Sequence, residues 1–350
     1  MSTTIIHESN LMLASSSAGY HGLILEEDGG IITKAKIKFG YTHRQLEACM
    51  RAVPYTMANA FAEKADFLAA PFYAFVYSAA VEAVGNIIVP PRGKKIRSIL
   101  LELCRIQSHI FFLSQIARSL GLTQIHQFCL REREKYCDLF ELYCGSRLGF
   151  GAILIGGVAE ESTDGFLFKC EKTLRDGREF LIEIQEAFIN NPILQSRLRG
   201  LAYIRKEVVM RLGITGPNAR ASGVFFGDFP SGSLNNGDSL SRFSQRVEEI
   251  KHSLNAVEKE LNLPEGAYSV DVDDKFSPRK TNVLTNVEGP RGQINVLLFS
   301  SGNNRAEQVR LVPPSYASLR HVDDLLLGVH IDDAALIINS LDISFSEVDR

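Results

Sequence analysis

Residues 89–121 read VPPRGKKIRSILLELCRIQSHIFFLSQIARSLG, and their spacing decides the fold class. Ile96, Ile99, Leu100, Leu103, Ile106, Ile110 and Leu113 recur every three or four residues, the period of one helix face. Pro90 and Pro91 place the start at about Gly93, because a proline inside a helix lacks the N–H that the ladder needs. Gly121 supplies a C-terminal cap. Two more long helices are predicted at about 129–148 and 162–190, separated by the glycine pair of LIGGVAEEST (154–163). Upstream, AFAEKADFLAAPFYAFVYSAAVEAV (60–84) has the Ala-rich, aromatic pattern of helices buried on most sides. Long helices with apolar faces pack as a bundle.

Small β regions flank these helices. HGLILEEDGGIITKAKIKFG (21–40) reads as a hairpin, with strands at 23–27 and 31–39 and a turn at Asp28-Gly29-Gly30. GQINVLLFSSGNNRAEQVRLVPPS (292–315) reads as a second, turning at 301–304. A short helix near 322–327 and an apolar helix or strand near 334–338 follow. Residues 213–242 are dense in Gly, Ser, Asn and Asp and read as a long loop. After an N-cap at Asp238 or Ser239, SLSRFSQRVEEIKHSLNAVEKEL (239–261) reads as a charged helix with a solvated outer face. The expected class is α+β, a long-helix bundle with small N- and C-terminal β-sheet regions.

Composition narrows the function. Of 350 residues, 45% are hydrophobic and 23% charged, ordinary for a chain with a sizeable core. A net charge of −3 gives no global case for nucleic acid. None of Cys49, Cys104, Cys129, Cys137, Cys144 and Cys170 forms a Cys-x-x-Cys pair, so reduced core thiols are expected rather than disulfides or metal ligands. MSTTIIHESN (1–10) has no basic leader, and no apolar run is long enough to cross a membrane, so a soluble or peripheral protein is expected. No dinucleotide glycine motif, phosphate-binding loop or H-E-x-x-H occurs, and GPRGQ (289–293) reads as a turn.

The order of segments says more. The chain carries GYHGL (19–23), FGYTHRQLE (39–47), VYSAAVEAVGNIIVPPRGKKIRSILLEL (76–103), LREREK (130–135), GSRLGFGAILIGGV (145–158), GITGPNARASGV (213–224), NVEGPRGQINVLLFSSG (286–302) and SLDISFSEVDR (340–350). This series resembles the D subunit of respiratory complex I, the proton-pumping NADH:quinone oxidoreductase, over nearly the whole chain. The resemblance implies a nickel–iron hydrogenase large-subunit-like fold without the metal site. It also implies three regions: an N-terminal β-hairpin region (1–41), a helical bundle (42–262) and a C-terminal α+β region returning to the bundle core (263–350).

The resemblance further implies a role. The chain would bind no cofactor itself and would form the quinone head-group site beside an iron–sulfur cluster in a partner, the cluster-bearing B subunit. The C subunit and the membrane-embedded H subunit would be neighbours, with NADH and FMN elsewhere in the complex. The expected place is peripheral, on the cytoplasmic side of a bacterial inner membrane or the matrix side of a mitochondrial one. His21 matches the histidine that hydrogen-bonds the quinone, and neutral imidazole can donate to a carbonyl. Asp66-Phe67 stands where the family has Asp-Tyr, and Tyr73 and Tyr77 are nearby hydroxyls that could substitute. Ser119 takes the place of an aspartate that pairs with the histidine, and Gly149 that of a histidine near the cluster. Arg44, Lys64 and Arg147 match cationic positions facing the cluster-bearing partner. Ser344 and Glu347 replace two C-terminal thiolates of the hydrogenases, which removes the soft donors nickel requires. The alternative is a structural or assembly subunit of a divergent or related membrane-bound oxidoreductase with a different donor or acceptor.

Overall fold

The computed structural model describes the backbone of residues 5–9, and residues 20–225, 227 and 229–350 in full. The serine-rich stretch before His21 lies outside the described residues. Helices α1 (Leu46–Ala52), α2 (Tyr55–Ala62) and α3 (Ala70–Gly85) lead into the long α4 (Pro91–Ser119). α5 (Thr123–Cys144) returns along α4. α6 (Asp164–Ile184), α7 (Pro192–Leu198), α8 (Lys206–Leu212) and α9 (Gly216–Ala221) precede α10 (Ser239–Glu260), which packs back on α4. α11 (Ser315–Leu319), α12 (Val322–Leu326), α13 (Ala334–Leu341) and α14 (Phe345–Asp349) close the chain.

α4 begins two residues before the expected start. Pro91 occupies its first helical position, where the missing N–H has no partner to lose. Gly121 follows the helix with φ +73°, the left-handed geometry a cap requires. Ile96, Ile99, Leu100, Leu103, Ile106, Ile110 and Leu113 are all fully buried. Each contributes roughly 1.5–3 kcal/mol relative to exposure.

β1 (Ile5–Ser9), β2 (Gly22–Asp28) and β3 (Ile31–Lys38) form an antiparallel sheet in that order. β4 (Ile153–Leu154) and β5 (Gly157–Val158) make a two-residue ladder. β6 (Thr281–Gly289), β7 (Gly292–Ser300) and β8 (Ala306–Val312) form the second three-stranded sheet. Both hairpins are as expected, but each has one additional strand, β1 and β6.

Two hydrophobic cores result. The larger joins α3–α6 and α10 to the inner face of β6–β8. The second joins Leu23, Leu25, Ile32 and Ile37 of the first hairpin to Leu319, Val322, Ile337, Leu341 and Phe345 near the C-terminus. Two sequence expectations are corrected: the stretch 213–242, read as a long loop, contains α9 (Gly216–Ala221), and α10 is largely buried. Much of α10 is not a solvated face: Arg242, Phe243, Arg246, Glu249 and Ser253 are all fully buried, while Lys251, Glu258 and Lys259 stay exposed. Arg242, Arg246 and Glu249 go inside because each meets a buried partner there, the condition under which burying charge is tolerated. The cysteines are all free thiols.

Candidate functional site

His21 sits at the entrance to β2, whose Leu23 and Leu25 anchor it on the second core. Its ring lies 4.2 Å from that of Phe345, 10° from parallel. The imidazole is 3% exposed, and among the described residues neither ring nitrogen has a hydrogen-bond partner. Burial lowers its pKa to about 4, so at neutral pH the ring is uncharged, with one N–H to donate.

Phe345 opens α14, which is N-capped by Ser344 accepting from the Glu347 amide. Beneath this turn lies a buried ionic cluster. Asp66 follows the tight turn Glu63–Ala65; its Oδ1 accepts from the Leu68 amide and its Oδ2 from Arg291 Nη1 at 2.5 Å. Arg291 comes from the β6–β7 turn and also donates through Nε to the Asp342 carbonyl at 3.1 Å. The Asp342 carboxylate lies 3.5 Å from Arg291 and 3.6 Å from Arg246. Glu347 accepts from the Tyr73 hydroxyl at 2.7 Å and from the Ser315 amide at 3.0 Å. Burial raises both Asp66 and Glu347, with Arg291 opposing; Glu347 reaches about 7. The cluster thus presents hard oxygens around a guanidinium.

The remaining predicted residues separate. Asp66 has an extended backbone, so the Phe67 side chain points the other way and is 39% exposed. Arg44 Nη2 donates to the Lys64 carbonyl at 2.7 Å and to Ser346 Oγ at 2.9 Å, tying the 63–65 turn to α14. Lys64 Nζ stands 3.5 Å above the Phe150 ring. His21, Arg44 and Asp66 therefore gather around α14, while Lys64 joins them through its backbone carbonyl and turns its ammonium to Phe150. Ser119 does not join them: it donates to the Gln115 carbonyl at 2.9 Å and accepts from Asn339 at 2.6 Å. Arg147 pairs with Glu134, Asp138 and Glu141 on the exposed face of α5. Tyr73 and Tyr77 are fully buried, bonded to Glu347 and to the Tyr55 carbonyl, and offer no free hydroxyl in place of the one absent at Phe67. Gly149 has φ +75°, and a Cβ there would stand 2.8 Å from Phe140 and 2.9 Å from Pro71.

Sequence reasoning missed Arg291, whose motif reads only as a turn, and Glu63. Glu63 is 3% exposed and accepts from the Gly151 amide at 2.9 Å. Burial raises it to about 7, against that hydrogen bond and the nearby Lys64. It missed the α10 ionic core as well. Glu249 accepts from His109 at 3.1 Å, Arg220 at 2.7 Å and Gln245 at 2.8 Å. The surplus of charged residues at 246–252 was the available signal.

A long-helix bundle flanked by two small sheets and closed by a C-terminal turn of serine and carboxylates defines the class: an α+β bundle protein with no metal-ligating group among the described residues. The chain belongs to the family described as respiratory-chain NADH dehydrogenase, 49 Kd subunit, which matches residues 119–287 and 270–350. It is 32% identical over 353 residues to the NADH-quinone oxidoreductase D subunit 2 of Solibacter usitatus, covering 96% of this chain and 94% of that one. The D subunit of the Carboxydothermus hydrogenoformans enzyme is 31% identical over 350 residues, covering 95% of each. A solved chain of the membrane-bound sulfane sulfur reductase, an archaeal respiratory membrane complex, superposes with TM-score 0.93 at 26% identity, covering 100% of this chain and 98% of that one. The chain is therefore a subunit of a complex I-type oxidoreductase. Among the described residues no helix is long and apolar enough to cross a membrane.

Proposed function

We propose that this subunit forms the quinone head-group site of a proton-translocating NADH:quinone oxidoreductase, with His21 as the hydrogen-bond donor to a quinone carbonyl. The observation that carries this reading is a buried neutral imidazole with both nitrogens unpartnered among the described residues and its plane held by Phe345. A buried polar group without a partner is costly, and a ligand that pairs with it recovers that cost. As the quinone oxygen gains charge, a donor in a water-poor setting strengthens.

In this reading electrons arrive from an iron–sulfur cluster held by the B subunit, with Arg44, Lys64 and Arg147 on the side of that partner. NADH and FMN belong to other subunits, the C and H subunits are neighbours, and the chain is peripheral on the cytoplasmic or matrix side. Phe67 supplies a ring beside the site, and Asp66 anchors the loop that carries it. Ser119 does not replace the aspartate partner of the histidine, and among the described residues His21 has no electrostatic partner. The test is His21→Ala in the assembled complex. Quinone reductase activity falls about tenfold or more while the subunits stay together; unchanged turnover would remove His21 from the site.

A second reading is favoured by the likeness to the sulfane sulfur reductase chain: a related membrane-bound oxidoreductase with another donor or acceptor. Assay of the purified complex with a quinone and with a polysulfide, each against NADH and reduced ferredoxin, separates the two.

A further inference from the structure

The cluster beneath α14 contains three carboxylates and two guanidinium groups: Asp66, Asp342 and Glu347 against Arg246 and Arg291. All five side chains are buried. Asp66 takes Arg291 directly, and Asp342 lies between Arg291 and Arg246. Glu347 makes no ion pair among the described residues; its partners are the neutral Tyr73 hydroxyl and Ser315 amide. Ionised, Glu347 would hold a negative charge out of water with no cation paired to it among the described residues. A proton removes that charge, the course a buried carboxylate lacking a cation takes.

We propose that Glu347 stores a proton for acceptor reduction: it is protonated at rest, releases its proton when the acceptor at the His21 end takes up electrons, and regains one from solvent. This rests on the quinone reading above. Quinone becomes quinol by gaining two electrons, delivered by the partner's iron–sulfur cluster, and two protons. Glu347 supplies one proton and solvent the other. Glu347 does not touch the acceptor; it acts through intervening groups. Phe345, two residues earlier on the same helix, stacks on His21 and so fixes the acceptor end close to Glu347, although the ring itself carries no proton.

The surroundings agree. Glu347 faces Tyr73 from α3, Asp66 from the 63–65 turn, Arg291 from the β6–β7 turn, and Ser315 from α11. Burial and the Asp66 charge raise Glu347 to about 7, so its proton is both held and exchangeable at neutral pH. His21, lowered to about 4, holds no spare proton there. A donor stocked at working pH is what the site otherwise lacks.

The experiment is infrared difference spectroscopy on the assembled complex, with Glu347→Gln and Tyr73→Phe as variants. Glutamine keeps the shape: its oxygen accepts from the Ser315 amide, and its NH2 donates to the Tyr73 oxygen in place of the carboxylate that accepted there. The wild-type complex shows a protonated-carboxyl C=O band that titrates near pH 7 and bleaches transiently on reducing a ubiquinone analogue. The band is missing in Glu347→Gln and shifts in Tyr73→Phe. The alkaline inflection of quinone reductase activity near pH 7 also disappears in Glu347→Gln. A band retained in Glu347→Gln, or one unmoved by acceptor reduction, overturns the proposal. If Glu347→Gln fails to assemble, an unshifted band in Tyr73→Phe overturns it alone. If His21→Ala keeps full turnover while the band still bleaches, the quinone contact falls and the proton store stands.

Discussion

His21 and Phe345 lie face to face across the junction between the first hairpin and the last helix, their ring centroids 4.2 Å apart. The contact keeps the imidazole dry and therefore neutral. Its pKa of about 4, against 6.5 when free, means the unfolded chain binds more protons through that window. Stability is thus retained above pH 6.5 and lost as pH falls toward 4. The loss amounts to about 3 kcal/mol. In His21→Gln the urea midpoint should fall less steeply between these pH values. A residual slope is expected, because burial lowers His109 in the same direction.

Glu63 has the opposite sign. Its folded pKa of about 7 lies above the ordinary 4.5, so the native state binds more protons in that interval. Stability is highest below it and declines as pH rises through 7. Glu63→Gln keeps an oxygen for the Gly151 amide and loses the charge. At pH 8 the variant should be more stable than the parent by up to about 3 kcal/mol, with no gain at pH 4. Equal midpoints at both pH values would show that Glu63 is not buried as described.

Gly149 and Gly121 form a controlled pair. Both have a positive φ, but only Gly149 lacks room for a Cβ; Gly121 has nothing within 4 Å. Gly121→Ala should cost about 1 kcal/mol from backbone strain. Gly149→Ala should cost about 1–3 kcal/mol more, from displacing Phe140 or Pro71. Paired denaturation curves measure the difference.

Glu249 is the anion on which His109, Arg220 and Gln245 converge. Burial alone would raise its pKa, yet these donors hold it well below the usual carboxylate range. Glu249→Ala leaves Arg220 buried with half its partners and should cost about 3–5 kcal/mol. Glu249→Leu combined with Arg220→Met removes both charges and should recover part of that loss in a double-mutant cycle.

What the sequence disclosed follows from the range of the interactions. The apolar spacing from Ile96 to Leu113 needs no distant partner, and it correctly announced α4. Asp28-Gly29-Gly30 likewise announced the first turn, where Gly29 and Gly30 have φ +60° and +84°. Arg291 could not be read this way. Its role depends on Asp66, 225 residues away, and locally it is only a charged residue between Pro290 and Gly292. α10 was misread because charge along a helix ordinarily means water, whereas its partners come from α4, α9 and the end of α13. β6 was missed because polar residues interrupt its alternation. His21 could be placed before a strand, but its burial under Phe345 required the far end of the chain.

Arg242 shows what such an interior implies for change over generations. Its guanidinium donates to the carbonyls of Ala202, Gly237 and Ser340 and to the hydroxyls of Ser239 and Ser340. A single substitution there would strand oxygens in three stretches of chain that are far apart in sequence. No one neighbouring change could rescue them all. Drift at this position is therefore open only along routes that alter several segments together, and divergent descendants of this chain should keep the guanidinium or replace the whole surrounding set.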